Sequence, residues 1–87
     1  MHLKYHFEKT KLGDKVIAVP VGEDVSFHGA VKMNKTAAEI FELLKQDTTE
    51  EEIVETLSSC YAVPKEQLEA DVRTYIGQFM DRGMIAL

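Results

Sequence analysis

The chain has 87 residues, 45% of them hydrophobic, with 5 Gly and 2 Pro, which suits one core and excludes two domains at the usual size of about 150 residues each. A domain this small hides only about 60 to 65% of the surface of its unfolded chain, leaving little room for a deep, walled substrate cavity. Ten Lys and Arg against fifteen Asp and Glu give a net charge of -5, the wrong sign for a chain whose main partner is a polyphosphate backbone.

In chain order the first third reads as strands. Leu3, Tyr5 and Phe7 alternate with His2, Lys4, His6 and Glu8, the period of two of a half-buried strand. After a turn at Leu12-Gly13-Asp14, the β-branched run Lys15 to Val21 forms a second strand. Pro20 lacks a backbone donor, which puts the end of that strand at an edge or a bulge. A turn at Gly22-Glu23-Asp24 leads to a third strand over Val25 to Met33, where Val25, Phe27, Val31 and Met33 point inward. Gly29 interrupts that inward set and would let another group approach closely.

The rest reads as three helices. Asn34 is an N-cap, followed by the stripe Ala37, Ile40, Phe41 and Leu44, with an end near Gln46. Thr49 and Glu52 form a capping box, and Glu50, Glu51 and Glu52 suit the positive end of the helix dipole. The inward stripe of this second helix would be Ile53, Leu57, Cys60 and Tyr61, with a stop at Val63-Pro64. Leu68, Val72, Tyr75, Ile76, Phe79 and Met80 carry a third helix of about five turns. Gly77 within it suggests close packing against its backbone, and Arg82-Gly83 ends it. Met84 to Leu87 is an apolar tail that returns to the core. Three strands followed by three helices make the fold class α+β, with an antiparallel three-stranded sheet facing the helices.

The residues offer little for catalysis. His2 and His6, four apart in a strand, would be about 13 Å apart at roughly 3.3 Å per residue, too far to share a metal ion. His28 has no second ligand near it, so no metal site is expected. Cys60 lies on an apolar stripe in an acidic helix and reads as a small core residue rather than a nucleophile. With one cysteine there is no internal disulfide, and the chain shows neither a basic leader with an apolar segment nor a run of 18 apolar residues, which points to the cytoplasm and away from membranes. Strand and helix counts also fit a winged-helix DNA-binding regulator, the alternative reading. Its last helix, however, carries Lys65, Arg73 and Arg82 against Glu66, Glu69, Asp71 and Asp81, so nucleic acid is disfavoured. What remains is an interaction surface: the third strand, if at the sheet edge, can pair with an extended peptide while the last helix forms the opposite wall. The same edge could instead be used in a homodimer.

Several segments, in this order, resemble the PqqD family, the small proteins of pyrroloquinoline quinone biosynthesis and related peptide pathways. They are Val31 to Leu44, Thr49-Glu50-Glu51-Glu52-Ile53-Val54, Leu68-Glu69-Ala70-Asp71-Val72 and Asp81-Arg82-Gly83-Met84-Ile85. The resemblance covers about residues 15 to 87. It departs where members commonly place a Gly after the first helix, here Gln46-Asp47-Thr48, and Met1 to Lys11 matches poorly. It implies a winged helix-turn-helix-like domain that is not an enzyme and needs no cofactor. Such domains bind the leader of a ribosomally made precursor peptide and present it to a separate modifying enzyme, often of the radical S-adenosylmethionine class. In the family the leader adds as a strand beside the third strand, against the third helix. Carried over, Val25, Ser26, Phe27, His28, Gly29, Ala30 and Val31 would present the strand edge, with Asp71, Tyr75, Gln78 and Phe79 on the helix side.

Overall fold

The computed structural model describes residues 1–22 and 29–87. The elements are β1 (His2–Leu3), β2 (His6–Leu12), β3 (Lys15–Val21), β4 (Val31–Met33), α1 (Lys35–Leu43), α2 (Glu50–Ser58), α3 (Lys65–Asp81) and β5 (Ile85–Ala86). Strands β2, β3 and β4 form an antiparallel sheet in that order, and β1 pairs antiparallel with β5. The α+β class, with a three-stranded sheet followed by three helices, is as the sequence indicates.

The first strand differs from its sequence reading. The alternation over Leu3 to Phe7 is divided between two sheets, because Leu3 pairs with Ile85 while strand pairing with β3 begins at His6 opposite Val21. Between them the backbone turns to other partners: the Leu3 amide donates to the Leu44 carbonyl and the Lys4 amide to that of Met84. Beyond Phe7, β2 is exposed throughout. There the β2–β3 hairpin reaches past the core, and Lys9 on its inner side pairs with Glu42 of α1. Gly13 takes φ 65° in the two-residue turn at its tip, a conformation that glycine adopts without a Cβ clash.

In the third strand, Val31–Met33 pairs with Val16 to Ala18 of β3. The Val25 to His28 part of that reading, and Glu23-Asp24 of the turn before it, lie outside the described residues. Gly29 is explained by its backbone, with φ 108°; among the described residues a Cβ there would meet nothing within 4 Å. Pro20 lies two residues beyond Ala18, the last β3 residue paired with β4, so its missing donor removes no bond in that described ladder.

The first two helices begin where their capping chemistry indicates. The Asn34 Oδ1 accepts from the Ala37 amide at 2.8 Å, and the Thr49 Oγ1 accepts from the Glu52 amide at 3.2 Å, each satisfying a donor that the first helical turn leaves free. Pro64 is the N-cap of α3, in an extended conformation, one position before the helix. The helices close on Ala18, Val31 and Met33 of the sheet, with Phe41, Ile40, Leu44, Ile53, Met84 and Val72 fully buried at the centre. Phe41 stands edge-on to Phe7 and Phe79, with ring centroids 5.1 and 6.2 Å away, the favourable T-shaped geometry.

Three expected core positions are corrected. Cys60 is exposed, because α2 stops at Ser58 and the 3.6-residue period no longer carries Cys60 inward; Val54 fills the stripe instead. Met80 is 42% exposed, on the solvent side of α3. Gly77 has nothing within 4 Å of where a Cβ would stand, so close packing does not account for it. The apolar tail does return: Met84 and Ile85 are buried, although Leu87 is exposed.

Candidate functional site

The helix α3 borders two clefts. One, of about 690 Å³, lies against α2 and is lined by Thr49, Glu50, Glu51, Val54 and Glu55 together with Lys65, Glu69 and Arg73 of α3. The other, of about 280 Å³, lies between β4 and α3. It is lined by Lys15, Val31, Lys32, Met33, Asn34 and Ala37 on the strand side and by Tyr75, Gln78, Phe79 and Arg82 on the helix side. The helical period accounts for this division. Lys65, Glu69 and Arg73 recur every four residues, while Tyr75, Gln78, Phe79 and Arg82 follow the i, i+3, i+4, i+7 stripe.

The smaller cleft joins the two walls that the sequence brings together on paper. Its floor is apolar and closed: Val31, Met33, Ala37 and Phe79 are each at most 4% exposed. On one side stands β4, the outer strand of the described sheet. Alternate residues of an antiparallel strand direct their N–H and C=O groups away from the paired neighbour, so an outer strand offers those groups to a further strand. On the other side Tyr75 is half-buried, and its hydroxyl accepts a hydrogen bond from Asn34 Nδ2 at 2.7 Å. Asn34 thus caps α1 with its oxygen and holds α3 with its nitrogen, setting the strand exit, the helix start and the groove wall relative to one another.

Of the expected site residues, Val31, Tyr75, Gln78 and Phe79 meet at this cleft. Phe79 is both groove wall and core, being 3% exposed and stacked edge-on with Phe41. Gly29 and Ala30 are exposed immediately before β4 and are not among the cleft's lining residues. Asp71, half-buried one helical turn before Tyr75, is not among them either. Val25, Ser26, Phe27 and His28 lie outside the described residues. Sequence reasoning missed Lys15, Lys32, Asn34 and Arg82 as cleft residues, and placed Met33 and Ala37 in the core without assigning them to the cleft. Of the first four, only the cap signal of Asn34 was visible in advance, since the other three come from separate elements.

Elsewhere the charged groups serve the fold. Glu42 accepts from Lys9 and, at 3.0 Å, from Lys45, and those hydrogen bonds hold its carboxyl below the usual range. The Tyr61 hydroxyl donates to Glu39, and that bond raises the phenol to about 12. Arg73 Nε lies 3.3 Å from Glu50 Oε1 across the α2–α3 cleft.

A family model described as coenzyme PQQ synthesis protein D (PqqD) matches residues 15–85, and the chain belongs to that family. Among solved structures, the chain is similar to one described as TbiB1 in complex with the TbiA(beta) leader peptide. The two share a TM-score of 0.76 and 18% identity over 97% of this chain and 93% of the other. At that identity the likeness is one of fold. No curated protein matches the chain by sequence. Among the described residues, no helix is long and apolar enough to cross a membrane.

Proposed function

We propose that this protein is a non-catalytic peptide chaperone that binds the leader segment of a ribosomally made precursor peptide. The leader pairs as an added strand with the outer edge of the β4 strand, lies against α3, and is presented to a separate modifying enzyme of the radical S-adenosylmethionine class. The observation that carries this reading is the cleft between an outer strand and the Tyr75, Gln78 and Phe79 stripe. It offers backbone hydrogen bonds on one side and apolar burial on the other, the two requirements of strand addition. Membership of the PqqD family supports it, as does the shared fold of a protein solved with a leader peptide. Gly29 and Ala30, which lead into β4, are proposed to continue the edge, and Asp71 the helix wall.

Titrating the labelled protein with a precursor peptide encoded beside its gene tests this reading. Amide shifts are expected to concentrate in residues 29 to 33 and in α3. Shifts confined to residues 47 to 63 would overturn it. Ala30 and Lys32 share one parity, so Lys32→Pro, if that parity directs its N–H groups outward, deletes a ladder donor and should weaken binding more than Lys32→Ala.

A further inference from the structure

The cleft between β4 and α3 is lined by three cations, where the larger α2–α3 cleft is lined mainly by carboxylates. Among the described residues the lining of the β4–α3 cleft includes Lys15, Lys32 and Arg82 and no carboxylate, in a chain that carries fifteen acids and a net charge of -5. Asp14 and Asp81 adjoin Lys15 and Arg82 in sequence but are not among the lining residues. Elsewhere Lys9 and Lys45 pair with Glu42 and Arg73 with Glu50, while Lys4, Lys11, Lys35 and Lys65 take part in no ion pair among the described residues. Among the same residues, Lys15, Lys32 and Arg82 likewise take part in none. They also come from three elements: Lys15 opens β3, Lys32 lies at the centre of β4, and Arg82 caps the C-terminus of α3. Lys32 and Arg82 are exposed and Lys15 is half-buried; Lys32 alternates with the buried Val31 and Met33, so it leaves β4 on the face opposite the apolar floor, where alternate side chains of an added strand would meet it.

We infer that the groove selects an acidic extended peptide, one in which an apolar residue resting on Val31, Met33 and Phe79 is flanked by Asp or Glu side chains that meet Lys15, Lys32 and Arg82. This rests on the strand-addition reading and adds to it. Main-chain pairing fixes the ligand's direction and register but is indifferent to its sequence, whereas the cations penalise a basic ligand and steer an acidic one. A net charge of -5 repels anionic chains from the molecule as a whole, which lowers non-productive encounters.

A displayed library of random twelve-residue peptides, selected on the full chain, supplies the probes without knowledge of the natural ligand. Binders are expected to be enriched in Asp and Glu within about three residues of an apolar side chain. They should perturb the amides of β4 and α3 and weaken with added salt. The double variant Lys32→Glu with Arg82→Glu should weaken such a binder about tenfold or more, as expected when two exposed pairs become repulsive. Lys32→Gln with Arg82→Gln should weaken it by a smaller factor. Both variants change exposed side chains, and an unchanged circular dichroism melt confirms their fold. Binders that map to the groove without acidic enrichment, or that bind the charge-reversed variant equally well, overturn the inference and leave strand addition standing. Failure of any binder to perturb β4 and α3 overturns both.

Discussion

The two clefts bordering α3 differ in size and, more usefully, in what their walls leave unsatisfied. The α2–α3 cleft is the larger, yet Glu50, Glu51, Glu55 and Glu69 line it against only Lys65 and Arg73, and Arg73 already lies beside Glu50. Its polar groups are exposed and answered by one another or by water. A helix pair of this kind would present its face to DNA in a winged-helix regulator, and four carboxylates against two cations repel phosphate there. The β4–α3 cleft is less than half as large and has a closed apolar floor, an outer strand and three cations that take part in no ion pair among the described residues. Volume is therefore the poorer guide, and unmet bonding capacity the better one.

The strongest way to break that comparison is to remove one buried side chain from each cleft. Phe79→Ala should lower unfolding free energy by about 3 to 5 kcal/mol and Val54→Ala by about 2 kcal/mol, as read from urea denaturation. Only Phe79→Ala should also weaken a groove-binding peptide when measured under conditions where both variants remain folded. Equal losses of binding would mean that the two clefts are not functionally distinct.

The helix caps sharpen the contrast at smaller cost. Asn34→Ala and Thr49→Ala each remove a side-chain acceptor from a first helical turn and should cost about 1 kcal/mol. Asn34 also donates to Tyr75, so its loss should reduce peptide affinity severalfold, whereas Thr49→Ala should leave affinity within twofold. Tyr75→Phe should reproduce part of the Asn34→Ala affinity loss with little change in helix stability. Isothermal titration of the same peptide against the three variants separates these outcomes.

The smallest effect concerns a tyrosine away from the groove. Tyr61 donates to Glu39, and its phenol is raised to about 12 in the folded protein, above the unfolded value of about 10. The sign follows: its stabilisation is fully present below pH 10 and is lost as pH rises through 12. Tyr61→Phe should therefore remove a phenolate step near pH 12 seen at 295 nm and flatten the stability loss over that interval. Because the residue is partly exposed, the change in stability should be small.

Local chemistry made much of this fold legible in the sequence. Asn34 and Thr49 marked helix starts because a cap is a short-range hydrogen bond, and the stripe Leu68, Val72, Ile76 and Phe79 marked α3 because its period is set by the helix itself. The division between β1 and β2 was not legible, since it depends on Leu3 meeting Ile85 from the other end of the chain. Cys60 was misplaced by extending a correct period past the point where the helix stops. For the groove, β4 and the Tyr75 to Phe79 stripe were readable as separate elements. The gathering of Lys15, Lys32 and Arg82 was not, because no spacing in the sequence brings those three together.

The double role of Asn34 bears on how such a receptor can change its diet over evolutionary time. One amide fixes the gap between strand and helix, so the shape of the mouth depends on a single residue and the buried floor beneath it. The residues that give it taste stand outside that frame, at Lys32, Gln78 and Arg82, where exposed substitutions typically shift stability by no more than about 0.5 kcal/mol. A lineage can retune what it swallows by altering the rim, while the jaw keeps its bite.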